Sequence, residues 1–551
     1  MAGTRLQIVG AFVLFALLAA PVAWHLTQVE RVDLPVSRIQ QLSWSASRFG
    51  GSDHFHVDIY SFGSTKSSVL SSSAPNVAYS MQTLQLTVDQ KKALQNAVES
   101  GLQATDDALE TLVKTLVKTP HKRFSVFLLC DKTVASTPVL TVGKHRHAWS
   151  PLCRTTKGDA LHSAIDTLMQ NHVYPQPASQ KQSTETKTAR RALQYRLQFS
   201  LLKENPLTPW KEDLRDLVDQ YLGRFVHKVG VLANFTVETQ VVQYARLAKE
   251  VEQSADGKEF YINAGDLKHF KSANDFLDAS VLDDGEQVLH FMAALPDIVH
   301  APLYIRPSAQ DQSKAGLATA FELPGWGIAA ILNPHALYSQ PSVNASKEEA
   351  AALAAATKAR ELQRVMGLFV SEFRTLLGVP SFSQRQRKED AHGSSLLFLP
   401  SSTDGISDWE LDVIMRDRVT KLIRTAIETL QSTVELVEAL PELSVLERVQ
   451  MRVETAVMRL EAILCDSNIQ QQCVDASDLR SLLEMARQAS HLTDAAYYDH
   501  TMIRQLYFPQ EQMLGVYAPL LAPLLLPFLL GVIRELKRFK AKRAAKKVKL
   551  Q

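Results

Sequence analysis

The sequence predicts an α/β lumenal domain followed by an antiparallel helical region, flanked by one N-terminal and one C-terminal transmembrane helix. Three observations carry that expectation. Long uncharged apolar runs lie near both ends of the 551-residue chain. Short strand-like runs alternate with helical periods as far as residue 377. Beyond residue 408 the strand signals stop and helical periodicity continues alone.

The ends set the frame. Residues 1–7 form a short cytosolic segment and 8–26 the first expected span. Its apolar core, IVGAFVLFALLAAPVAW, holds 17 residues. An uncleaved anchor needs about 17–25 such residues, whereas a signal peptide has an apolar region of about 7–15 and a small-residue cleavage site. The anchor reading is preferred, with LLAAPVA keeping cleavage open. The second expected span, 513–533, carries no charge but holds Pro519, Pro523 and Pro527. Proline has no N–H and deprives the carbonyl four residues back of its donor. At about 100° per residue, four-residue steps drift by about 40°, so the three prolines share one face. That face is a candidate membrane contact surface for another subunit.

Residues 534–551 form a basic cytosolic tail with nine Lys or Arg against one Glu, a net of +8. The whole chain is only +2, which leaves −6 elsewhere and gives no basic body for nucleic acid. Arg5 before the first run and the basic tail after the second put both termini in the cytosol. The expectation is a two-pass protein whose large middle part is lumenal. A hydrophobic content of 46% is ordinary for a globular chain and excludes a multi-spanning transporter.

Residues 27–380 are expected to form the α/β domain. RFSVFLLCD at 123–131 is short, apolar and flanked by polar residues, a buried strand. YPQPASQKQSTETKTARR at 174–191 reads as a loop. YRLQFSLL alternates cleanly, with Tyr195, Leu197, Phe199 and Leu201 on one face, and reads as half-buried. Leu214, Leu217, Val218, Tyr221, Leu222, Phe225 and Val229 then recur at helical steps. FTVETQVVQYA, EQVLHFMAAL, APLYIRP and WGIAAILNP are further strand-like runs. A long helix at 347–377 stops at Gly378, with Pro380 beyond it, where left-handed caps and proline breaks belong. Residues 381–408 are expected to be a linker and 409–505 a lumenal helical region, opened by the capping box Ser407-Asp408-Trp409-Glu410.

Signatures of chemistry are sparse. H-E-x-x-H, G-x-S-x-G and the phosphate-cradling G-x-x-x-x-G-K-[ST] do not occur, so no catalytic, cofactor-binding or metal residue is assigned. On a strand, His54/His56 and His145/His147 would each put two imidazoles on one face, but no cysteine accompanies either pair to complete a zinc set. Cys130, Cys153, Cys465 and Cys473 are candidate disulfide partners, with three connectivities open. Cys130 ends a strand where a cysteine hydrolase would place its nucleophile, yet LLCDK offers no oxyanion turn. Trp326 and Trp409 read as core anchors. Asn234-Phe235-Thr236 and Asn344-Ala345-Ser346 are acceptor sequons for N-glycosylation.

Several strings occur in an order that resembles one family. They are RVDLPVSRI, FSLLKENPLTPW, NFTVETQVVQYA, HAPLYI, WGIAAILN, DWELD and LYFPQEQMLGVYAPLLAPLLLPFLL. Together they are similar to the PIG-S family, a subunit of the glycosylphosphatidylinositol (GPI) transamidase complex of the endoplasmic reticulum. The resemblance covers 31–37 and 195–533. It implies a non-catalytic membrane subunit that supports attachment of GPI anchors to the C-termini of precursor proteins. Its partners would be the other transamidase subunits, including a cysteine-protease-like one that carries the chemistry. Whether this chain touches GPI or precursor stays open. Two other readings also stand: a lumenal hydrolase or transferase using Cys130 or the histidines, and a chaperone-like membrane protein of the endoplasmic reticulum.

Overall fold

The structure is a computed structural model. It describes 32–48, 55–62, 77–116, 123–129, 139–152, 160–175, 192–263, 286–306, 318–333, 347–379, 396–464 and 478–502, some with short gaps, and scattered positions nearer each end. Cys130, Cys153, Cys465, Cys473, His54 and Asn344 lie outside the described residues.

In chain order the elements are α1 Val36–Arg48, β1 Phe55–Ser61, β2 Val77–Thr83, α2 Val88–Ser100, α3 Leu102–Leu116, β3 Arg123–Leu128, β4 Leu140–Val142, β5 His147–Ser150 and α4 Ala160–Leu168. There follow β6 Gln194–Lys203, α5 Leu214–Val229, β7 Asn234–Val242, β8 Glu252–Gln253, β9 Phe260–Asn263, β10 Glu286–Leu295, β11 Leu303–Arg306, β12 Ala320–Leu323 and β13 Gly327–Ile331. The last are α6 Lys347–Leu376, β14 Leu396–Phe398, α7 Asp408–Ala439, α8 Glu447–Leu464 and α9 Leu479–Tyr497. They fall into two compact units, one of Ser52–Asp417 with Ser477–Arg480, the other of the remaining segments.

The first unit holds three sheets. A six-stranded sheet runs β14-β4-β5-β3-β1-β2, parallel except between β4 and β5. A five-stranded sheet runs β12-β13-β10-β6-β7, parallel except at β12. A small sheet, β11-β9-β8, is the third. Parallel sheets are covered on both faces, so their central strands read as continuous apolar runs. In the first sheet, Val57, Ile59, Phe124 and Val126 pack against Ile165 and Leu168 of α4. Tyr60, Phe127 and Trp149 meet Leu109 and Leu112 of α3 on the other face. In the second sheet, Phe199 stacks on Phe291, and both meet Phe369 of α6.

The double cover explains why β6 is buried on both faces rather than one. Leu202 on its polar side joins Ile262, Met292, Leu303 and Ile305, from β6, β9, β10 and β11. The polar residues there are served within the sheet, Gln240 donating to Ser200 at 2.7 Å and Arg196 to Glu286 at 2.7 Å. Gly378 has φ +89° just beyond α6, the left-handed stop that its place in the sequence predicts.

The second unit is helical. Arg38 of α1 forms a two-pronged pair with Glu461 of α8, at 2.9 and 2.6 Å. Arg448 and Arg452 of α8 both reach Asp499, just past α9.

The expectation of two flanking transmembrane helices is overturned. Among the described residues no helix is long and apolar enough to cross a membrane. Most of 8–26 lies outside the described residues. In 513–533, Pro519, Pro523 and Pro527 are helical and exposed. The chain is mixed α/β with long helices.

Candidate functional site

The turn between β4 and β5 carries Gly143, Lys144, His145 and Arg146, closed by Gly143 N–H donating to the His147 carbonyl at 3.0 Å. A side chain at position 143 has no room, because its Cβ would lie 2.0 Å from Asp106 Oδ1. Helix α3 approaches this turn with Asp106, Asp107 and Glu110, and Asp106 and Glu110, one turn apart, share a face.

His147 is completely buried between the two carboxylates. Its Nε2 lies 3.0 Å from Asp106 Oδ1 and its Nδ1 3.7 Å from Glu110 Oε2. The second is beyond hydrogen-bond length and the first does not form a hydrogen bond, so these are charge contacts. Burial pushes the imidazole pKa down, but the Asp106 and Glu110 carboxylates outweigh it and the net shift is upward. Glu110 moves the opposite way: burial raises it, and His147 and His145 together bring it below the usual carboxylate range.

A second layer comes from the start of α7. His145 Nδ1 is 2.8 Å from Asp408 Oδ2, and Lys228 Nζ of α5 is 2.7 Å from Asp408 Oδ1. Burial opposes ionisation of Asp408, yet the His145 bond and the Lys228 ammonium hold its carboxyl far below the usual range. Arg146 grips Asp412 through two bonds, at 2.5 and 2.9 Å. Arg374, at the end of α6, grips Glu410 at 2.7 and 3.2 Å. Trp409 is buried and donates its indole N–H to the Gly143 carbonyl at 3.1 Å. The predicted capping box is half closed: Glu410 accepts from Ser407 N–H at 2.9 Å, while the buried Ser407 hydroxyl has no hydrogen bond.

The cluster is a charge clamp that fixes one helical turn. Among the described residues its imidazoles face carboxylates rather than a hydroxyl or thiol, the partner that general-base activation of a nucleophile needs. Asp106, Asp107 and His145 can each bring one ligand atom within 4.8 Å of the others, as a cation would require. Lys144 Nζ already stands 2.5 Å from Asp107 Oδ1 and supplies positive charge at that spot.

The structure therefore joins His145 and His147 to one centre. His56 sits apart on β1, half-buried and registered with Ala78 and Arg123. Trp409 is core, and Trp326 is half-buried and stacked on His290 at 4.4 Å. Asn234 is exposed at the start of β7. Asp106, Glu110, Lys228 and Arg374 were not singled out by sequence. Only the acid pair on one helix face, in DDALE, left a readable signal.

A family model described as phosphatidylinositol-glycan biosynthesis class S protein (PIG-S) matches residues 10–542. A human protein named GPI-anchor transamidase component PIGS is 26% identical over 347 residues, 62% of this chain and 57% of its own length. The mouse protein of that name is 25% identical over 362 residues, 65% of this chain and 60% of its own. A fission yeast protein (Schizosaccharomyces pombe) named GPI transamidase component PIG-S homolog is 24% identical over 533 residues, 96% and 83% of the two chains. The matches to the mammalian relatives thus span little more than half of those proteins' length.

Proposed function

This chain belongs to the phosphatidylinositol-glycan biosynthesis class S family, and we propose that it is a non-catalytic component of a GPI transamidase complex. In this reading the complex works at the endoplasmic reticulum membrane, the α/β unit is lumenal, and a cysteine-protease-like subunit supplies the chemistry. The observation that carries it is the family match over 10–542, which takes in both compact units. The charge clamp agrees with it, because its acids and bases are spent on one another. Deleting the gene should leave GPI-anchored reporters unprocessed, with their C-terminal signals retained, and the intact gene should restore them. Normal anchoring in deleted cells would overturn the proposal. Replacing His145 and His147 by Gln tests the competing enzyme reading: anchoring should track the amount of folded protein rather than vanish with the imidazoles.

A further inference from the structure

The C-terminal half of α5 borders a groove of about 610 Å³, lined by Asp219, Arg224, His227, Lys228, Asp404 and Arg480 among others. The volume suits a small polar molecule, since ligand sites run from about 300 to 1,000 Å³. All these residues belong to the sheet-containing unit.

The charges in the groove are unevenly committed. Asp219 is taken by Arg215, at 3.1 Å. Lys228 is taken by Asp404 and Asp408, at 3.4 and 2.7 Å, and also donates to the Ile406 carbonyl at 2.9 Å. Arg224, His227 and Arg480 are exposed, and among the described residues their side chains make no hydrogen bond or ion pair. Basic residues in a last helical turn often serve the helix's own negative end. That account covers His227 and Lys228, which sit in the last turn of α5. It does not cover Arg480, which comes from the start of α9, more than 250 positions along the chain, and lines the same groove.

Two uncommitted guanidinium groups and an imidazole around one concave volume form a donor set for a tetrahedral oxyanion. Planar guanidinium donors match phosphate oxygens in pairs. We propose that this groove binds a phosphate ester of headgroup size, with Arg224 and Arg480 holding the phosphate oxygens and His227 adding a ring N–H. On the transamidase reading, on which this assignment of source rests, the ester belongs to the GPI anchor. The phosphate chemistry itself stands on the groove alone.

The purified full-length chain is titrated with glycerophosphoinositol, phosphoethanolamine, inorganic phosphate and sulfate, and with phosphatidylcholine vesicles with and without phosphatidylinositol. Saturable binding of the organic phosphates is expected, weakened about tenfold by Arg224→Ala or Arg480→Ala. Paired charge reversal, Arg224→Glu with Arg480→Glu, should abolish it, and Arg306→Ala, on β11, should leave it unchanged. Thermal melts check that each variant is folded. Binding of free glycerophosphoinositol supports a soluble headgroup as ligand. Binding of phosphatidylinositol vesicles alone, lost in the reversed variant, supports a headgroup read at a lipid surface. No binding, binding that survives charge reversal, or equal weak binding of sulfate and phosphate, an adventitious ion only, would overturn the proposal. Failure here leaves the family-based role intact. Normal anchoring after gene deletion would remove that role and leave the groove's phosphate affinity standing.

Discussion

Arg374 and Glu410 are nearly closed off from water, their side chains 3% and 2% exposed. A buried pair is not strongly stabilising in itself, but removing one partner strands the other charge. Glu410→Gln should therefore lower unfolding stability by about 3–5 kcal/mol in urea titration. The double replacement Arg374→Met with Glu410→Leu should recover a large part of the loss, because no lone charge is left. Gly143→Ala acts by a different route, forcing a methyl against the Asp106 carboxylate, and should lower stability by about 1–3 kcal/mol in the same titration. Of this centre the sequence shows the two histidines and the capping pattern of Ser407 and Glu410. Their partners were hidden because pairing at a distance, 36 positions for Arg374 with Glu410 and 266 for Arg146 with Asp412, has no local periodicity to betray it.

Among the elements, strands β3, β7, β10 and β13 were legible as short apolar runs. β1 and β5 were not, because Asp58, His147 and Ser150 interrupt the apolar pattern although all three are buried. Strand β14, three residues inside the stretch expected to be a linker, is too short to show a period. The β6 run was read correctly as a strand but with one face too few buried, since alternation reports side-chain chemistry and not what the chain later lays over it. Phe199→Ala in β6 should lower stability by about 3–5 kcal/mol, measured by denaturant unfolding. In the helical unit, Arg448 holds the Asp499 carboxyl well below the usual range, with burial opposing. A depressed carboxylate contributes stability that is full above its unfolded value of about 3.9 and fades as pH falls toward the folded value. The melting-temperature gap between wild type and Asp499→Asn should thus be widest near neutral pH and shrink on acidification below about pH 4. A gap independent of pH would count against this role for Asp499.

For the whole molecule, the lumenal placement proposed above has a direct readout. Glycosidase treatment of the chain from cells should raise its mobility in two steps, with Asn234→Gln and Asn344→Gln each removing one. A mobility that the enzyme does not change would argue against that placement. The route by which the chain reaches its shape follows from the clamp. His145 pairs with Asp408 across 263 positions, and Arg146 with Asp412 across 266. During synthesis at about 5–20 residues per second, the β4–β5 turn and the α3 carboxylates beside it emerge about 13–50 s before Asp408 and Asp412 of α7. For that interval Arg146 waits for the carboxylate it will grip, and β4 stays an open edge of the first sheet until β14, at 396–398, is made.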